Sequence, residues 1–465
     1  MEQNKNLFSG FKNVYFIGIG GIGMSALARY FNNLGFKVAG YDKSASDLTN
    51  KLEAEGCLIH YEDLGEEIPN EFKNKATTFV VFTPAIPQDM MELVYFISNE
   101  FTIYKRSEVL GILTRQSKGL CVAGTHGKTT TSSMLANILD QSSWKCNAFL
   151  GGIASNFDSN LVLSELSEWT VIEADEFDRS FLKLSPFSSI VTGVDPDHLD
   201  IYGSVEQFNE GFGQYTMKIE PKGFLVEKEG LNLPTLAKKV SYALNSDTSD
   251  YSMKNMVFRD GFLYTDVRLK TISWQNVKLG IPGIHNAENA LGCIALLDSL
   301  GMSELEIRNG LTSFKGVKRR FDYQIRSEEL IYIDDYAHHP SELKVLIESV
   351  RILYPNKKIT GVFQPHLYSR TRDFAVEFAY ELSKLDELIL LPIYPAREEP
   401  IHGISSAWLY SKVELSKKFL LTPSEALQYF NDCDKGIVLT IGAGDIDKMV
   451  SPLKEILFTN LTTDK

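Results

Sequence analysis

GTHGKTTTSSML, residues 124–135, follows the apolar run GLCVA and passes directly into a helical pattern. A glycine-marked turn between a strand and a helix presents backbone N–H groups and the positive end of a helix dipole to an anion. Gly124, Thr125, His126 and Gly127 form the turn, and Lys128, Thr129 and Thr130 open the helix. Lys128 is placed to meet the β- and γ-phosphates of a nucleoside triphosphate, and the Thr129 hydroxyl to ligate its magnesium ion. The loop is shorter than a strict GxxxxGK[ST], because Val122 stands at the first glycine position. Its strand–loop–helix context still argues against a mere surface turn.

A second glycine loop stands earlier in the chain. Gly18, Gly20 and Gly23 complete a GxGxxG, with Gly21 inside it. Residues 14–19 read as a buried strand, 24–34 as a helix and 37–41 as a second strand that ends in Asp42. Alone, this is a dinucleotide fingerprint of the NAD type. Yet the geometry selects a pyrophosphate at a helix start and not its owner.

At 465 residues the chain calls for two to four domains. Its 44% hydrophobic and 23% charged residues are those of a globular protein. A net charge of −13 excludes the broad basic face that nucleic-acid binding requires, while leaving small anions to local loops. The five cysteines, at 57, 121, 146, 293 and 433, form no CxxC pair, so zinc and redox motifs are absent. The polar start MEQNKNLFSGFKN lacks a signal-peptide core, and the longest apolar run, near 388–393, is too short to span a bilayer. The expectation is a cytoplasmic protein without membrane or nucleic-acid partners.

Three α/β blocks follow: 1–105, 106–315 and 316–465. The first alternates strand and helix and ends a strand at Thr83, Pro84 and Ala85, where open parallel sheets bind ligands. The second carries the lysine loop, then the strands WTVIEAD and SSIVTGV, and between 221 and 278 short segments that read as antiparallel strands. The third has four strand patterns separated by helices.

Magnesium on a triphosphate needs hard oxygen ligands. Glu173, Asp175 and Glu176 end one strand of the second block; Asp195, Asp197 and His198 end the next. Most of these are solvated strand ends on the plain reading, with at least one of each cluster turned to a metal. In the third block DDYAHHP (334–340) and QPHLYSRTR (364–372) place His338, His339, His366 and Arg370 after strands, where Arg can fork a small carboxylate. Arg319 and Arg320 either reach a γ-phosphate as an arginine finger does or form a basic linker.

GTHGKTTT, EADE, DPDHLD, GIHNAENA, RRFD and DDYAHHP, in this order over nearly the whole chain, resemble the Mur ligase family of ATP-dependent amino-acid ligases. The GIGGIGM start, the histidine within the lysine loop and QPHLYSRTR are most similar to the alanine-adding branch. The resemblance implies an N-terminal Rossmann-like domain for a UDP-sugar, a central P-loop ATPase domain and a Rossmann-like C-terminal domain for the amino acid. It further implies attachment of L-alanine to the carboxylate of UDP-N-acetylmuramate through an acyl phosphate. ATP and Mg2+ are the cofactors, and the protein is a monomer or weak homodimer acting on small molecules.

By the same resemblance, residues 124–130 cradle ATP, with Lys128 on its phosphates. Thr129, Glu173 and His198 hold metal, and His285, Asn286 and Asn289 meet the adenine side. Arg320 contacts the transferred phosphate and Asp335 the nucleotide. Gly18, Gly20, Gly21, Gly23, Asp42, Thr83, Pro84 and Ala85 hold the UDP portion, leaving His338, His339, His366 and Arg370 toward alanine. Leu367 stands where a basic residue is frequent in relatives, and Arg397 where glycine is common, which leaves Arg370 as the carboxylate anchor. The lysine that other members carbamylate has no counterpart near DPDHLD. A sister ligase attaching a peptide is the nearest rival. A dehydrogenase leaves the lysine loop unexplained, and a nucleotide sensor would bind without releasing ADP.

Overall fold

Asn13–Ile17 (β1) is buried along its whole length, as a strand covered on both faces must be. It pairs in parallel with Lys37–Tyr41 (β2), which Leu58–His60 (β3) extends, and on its other side with Thr78–Phe82 (β4), next to Thr102–Lys105 (β5). The order β3-β2-β1-β4-β5 reverses direction between β1 and β4. Such a switch point opens a crevice at the carboxyl ends of the strands. The loops after β1 and β4 both lie there, so close that a Cβ on Gly18 would stand 2.7 Å from Thr83 Cγ2.

The computed structural model describes residues 8–196, 199–259, 262–396, 398–432 and 435–463. Asp197, His198, Arg397 and Cys433, all named above, lie outside the described residues.

Helix α1 (Ile22–Asn33) follows the first loop, and residues 24–31 are buried on every side. A helix buried all round needs cover from two directions. One cover is the first sheet. The other is the second, ten-stranded sheet, which contributes Asn147–Ala154 (β7) and Ser159–Val162 (β8) after Lys118–Ala123 (β6). Asn160 of β8 accepts from Arg29 Nη1 at 2.8 Å and donates to Ser25 Oγ at 2.8 Å, satisfying polar groups that burial would otherwise strand. Helix α2 (Arg106–Thr114) connects β5 to β6.

In the second sheet β6 lies between Trp169–Glu173 (β9) and Ser188–Val191 (β10), parallel to both. This places the lysine loop between the two strand ends that carry the acidic clusters. Phe224–Lys228 (β11), Lys238–Leu244 (β12) and Tyr251–Arg259 (β13) continue the sheet in parallel. Within 221–278, Phe262–Arg268 (β14) pairs antiparallel with β13 and with Ser273–Leu279 (β15), so the antiparallel reading holds there and fails for β11 and β12. The buried centre of β11 marks an interior strand, and its polar flanks hid this in the sequence.

The third sheet has the order β16-β17-β21-β18-β19-β20. Asp322–Arg326 (β16) is its antiparallel edge; Leu330–Asp335 (β17), Ile359–Phe363 (β18), Glu387–Leu390 (β19), Lys418–Leu420 (β20) and Gly436–Ile441 (β21) are parallel. Apolar clusters fill both of its faces. The chain forms two compact units: Met1–Pro282 with Asn286–Lys315, holding the first two sheets, and Gly283–His285 with Gly316–Lys465. Among the described residues no helix is long and apolar enough to cross a membrane.

Candidate active site

Strand β6 ends at Ala123 and helix α3 begins at Lys128, running to Gln141. The four residues between turn on two left-handed glycines, Gly124 at φ 127° and Gly127 at φ 82°. A Cβ on Gly124 would stand 2.2 Å from Thr192 Oγ1, so the loop is both strained for and closed to any other residue. The segment after β10 braces the loop from outside. Thr192 Oγ1 donates to the His126 carbonyl at 2.5 Å, Thr125 N to the Gly193 carbonyl at 3.1 Å, and Thr125 Oγ1 to the Asp195 carbonyl at 2.7 Å.

Lys128 Nζ donates to the Gly124 carbonyl at 2.7 Å and to Glu176 Oε1 at 2.8 Å. Burial works against its charge, but Glu176, Asp175 and Glu173 together hold the ammonium above its ordinary range. Glu176 is 1% exposed, and burial pushes its carboxyl up to about 7 although Lys128 pulls it down. Thr129 Oγ1 donates to Glu173 Oε1 at 3.1 Å, and the other oxygen of Glu173 accepts from Gly151 N at 3.1 Å. The hydroxyl and carboxylate expected to share a metal are thus in contact. Thr130 is buried in the first turn of α3.

Helix α4 (Ile284–Ser299) supplies the adenine-side candidates. Asn289 faces the lysine loop, its Oδ1 2.7 Å from where a Gly127 Cβ would lie. Asn286 instead donates to the Pro282 carbonyl at 2.6 Å, tying down the start of its own helix. His285 groups with the second unit, where its Nδ1 is 3.3 Å from Ser349 Oγ and its ring 6.1 Å from that of Phe321.

In the first loop, Gly20 N donates to Asp42 Oδ2 at 2.7 Å, and the Gly18 and Ile19 amides donate to the Tyr41 carbonyl. Asp42 therefore holds the loop in shape. Gly21 caps α1 without a side-chain hydrogen bond, and no acidic residue stands in the first turn, which leaves that helix end suited to an anion. Pro84 and Ala85 follow β4 beside Thr83, on the same crevice.

Within the second unit Arg320 lies over the Tyr336 ring at 4.9 Å and 3.9 Å from Glu342. Asp335 Oδ2 accepts from Phe321 N at 2.7 Å and Oδ1 from Ala337 N at 2.8 Å; burial lifts it to about 6 against the pull of Arg320. Arg319 turns the other way, donating to Asp334 and to the Gly442 carbonyl. The histidine pair splits. His338 packs 5.9 Å from the His366 ring, and burial lowers it despite Glu342. His339 caps helix α5 (Pro340–Leu353), its Nδ1 accepting from Ser341 N. Arg370, on α6 (Tyr368–Asp373), has Nη1 3.4 Å from His366 Nδ1. Leu367 between them is held at φ 69°, where a leucine is strained.

Among the described residues no three His, Cys, Asp or Glu side chains gather as a metal cage. Spacing alone did not single out Glu176 among three neighbouring carboxylates as the partner of Lys128. Nor did it point to Glu342 and Glu398, which hold the backbones of His338 and Ser369.

A phosphate loop with paired carboxylates, an earlier glycine crevice and a later His/Arg cluster are the parts an ATP-dependent ligase needs, and the comparisons give the class. The chain belongs to the Mur ligase family: residues 13–118 match "Mur ligase family, catalytic domain", 122–297 "Mur ligase middle domain" and 319–445 "Mur ligase, glutamate ligase domain". It is 50% identical to a UDP-N-acetylmuramate–L-alanine ligase of Phocaeicola vulgatus, over 96% of this chain and 98% of that one. The corresponding ligase of Parabacteroides distasonis is also 50% identical, over 96% and 97%. The solved UDP-N-acetylmuramate-alanine ligase of Thermotoga maritima superposes with a TM-score of 0.82 at 26% identity, covering 97% of this chain and 100% of that one.

Proposed function

We propose that this chain joins L-alanine to the carboxylate of UDP-N-acetylmuramate at the expense of ATP, a step of peptidoglycan precursor synthesis. The observation that carries the reading is the 50% identity, over 96% of the chain, to proteins named for that reaction. The lysine loop supports it.

A carboxylate is a poor electrophile because its leaving group would be oxide. Its oxygen attacks the γ-phosphorus of ATP, ADP leaves, and an acyl phosphate results. Lys128, released from Glu176, stabilises charge on the transferred group, and Arg320 carries the same role. The neutral amine of alanine then adds to the acyl carbon, and phosphate leaves as the amide forms. His366 and Arg370 orient the alanine, with Arg370 forking its carboxylate. Residues 18–23, Asp42, Thr83, Pro84 and Ala85 form the UDP-sugar site, and the glycines bring backbone close to the pyrophosphate. Asn289 lies where the loop meets the nucleotide.

Thr129 and Glu173 are hard oxygen donors in contact and fit a magnesium ion, with His198 as a third ligand. That ion, when bound, neutralises charge on the nucleotide phosphates. The blocks 1–105, 106–315 and 316–465 serve the UDP-sugar, ATP and alanine respectively. The setting is cytoplasmic, where these small molecules are found, and the working form is a monomer or weak homodimer.

Phosphate release with L-alanine, glycine, L-serine or a tripeptide as acceptor tests the reading. L-Alanine should be used fastest; preference for the tripeptide would transfer the chain to the sister, peptide-adding activity.

A further inference from the structure

Arg106, the first residue of α2, lies against the first glycine loop. A Cβ on Gly23 would stand 2.1 Å from Arg106 Nη1. The guanidinium thus lies directly over the third glycine of GIGGIG. Arg106 Nη2 donates to Asp175 Oδ2 at 3.1 Å, and Asp175 Oδ1 accepts from Phe177 N at 3.1 Å, so the guanidinium is held from behind. Its side chain stays 22% exposed.

We propose that Arg106 is a substrate-binding residue: it supplies the positive charge for the pyrophosphate of the UDP-sugar at residues 18–23. Asp175 is the positioning residue that aims it. The inference rests on the reading of the first loop as the UDP-sugar site.

The Gly18, Ile19 and Gly20 amides are already engaged by Tyr41 and Asp42, so the loop offers an anion chiefly the first amides of α1. A helix start carries roughly half a unit of positive charge. Asp42 sits on the loop through Gly20 and repels a second anion. A pyrophosphate there needs a cation, and Arg106 is the cation that the fold brings onto the loop. Guanidinium also matches a phosphate with two parallel N–H groups, which an ammonium does not.

A purely structural role would make Arg106 a tie between the two sheets of the first unit. Its neighbour Lys105 makes such a tie, to Asp178 at 3.0 Å, and serves as the control. Calorimetry on the full chain compares UDP with uridine for wild type, Arg106→Gln, Arg106→Lys and Lys105→Gln, with ATP binding as the check on folding. Arg106→Gln should lower the preference for UDP over uridine about tenfold or more. Arg106→Lys should fall between it and wild type, and Lys105→Gln should match wild type. Should Arg106→Gln fail to fold, Arg106→Lys decides, since its preference must lie below wild type. A variant that keeps the full preference, or weakens UDP and uridine by one common factor, overturns the proposal. A wild-type chain that binds neither compound overturns the reading of the loop itself.

Discussion

Lys128 and Glu176 show how a buried ion pair prepares a site. The ammonium is held by a carboxylate that is itself 1% exposed, on a loop whose carbonyls also accept from it. If Lys128 carries the proposed role, replacing it with Ala should lower the ligation rate by at least about 10²-fold. Circular dichroism should show the fold retained; near-normal turnover would remove Lys128 from the mechanism. Asp334 in the second unit gives a pH signature. It is 1% exposed, and burial raises its carboxyl to about 6, against the pull of Arg319 and a hydrogen bond from Thr440. Its folded pKa thus lies above its unfolded one, so the native state binds the extra proton between about pH 4 and 6 and loses stability as pH rises through that window. The slope from this group is at most about 1.4 kcal/mol per pH unit. Urea melts of wild type and Asp334→Asn at about pH 4 and about pH 7 should show the variant gaining on wild type as pH rises. A constant difference would place the carboxyl at its ordinary value.

Elements fix where those residues point. Gly124 joins β6 to α3 at a backbone angle that L residues avoid, against Thr192. Gly124→Ala should cost roughly 1–3 kcal/mol in thermal or urea unfolding and weaken ATP binding. An unchanged melt would show that Thr192 yields at little cost. The strands and loops that carry chemistry were legible because each writes a local pattern: apolar run, glycine turn, helical spacing. Thus β1, β2, β6, β9, β10 and the lysine loop could be read directly. What was not legible depends on partners distant in sequence. The parallel pairing of β11 and β12 is set by which strand accepts them, and the β7–β8 hairpin is obscured by Gly151 and Gly152, which lower its strand signal. Arg106 covers Gly23 from a different helix, so no spacing marks it. His339 read as half of a histidine pair; that its ring also caps α5 follows from the turn's geometry, which spacing does not give.

At the scale of the whole molecule the proposed site residues are divided between two units. The glycine loop at 18–23 and the lysine loop belong to the first, His366 and Arg370 to the second. A change in Arg370 should therefore act on one substrate and spare another. Arg370→Ala should raise KM for L-alanine about tenfold or more and leave KM for ATP within about twofold. Equal effects on both would count against a carboxylate clamp. On the proposed assignment the two glycine loops have separate tasks: the first holds the molecule to be activated, the second the nucleotide that activates it. The proposed chemistry is phosphoryl transfer to the muramyl carboxylate, and isotope transfer reports it directly. UDP-N-acetylmuramate labelled with 18O in that carboxylate is turned over with ATP and L-alanine, and the released phosphate is analysed by mass spectrometry. Acyl-phosphate chemistry gives one labelled oxygen in each phosphate, in step with amide formed; phosphate without label, at full ligation, would contradict it.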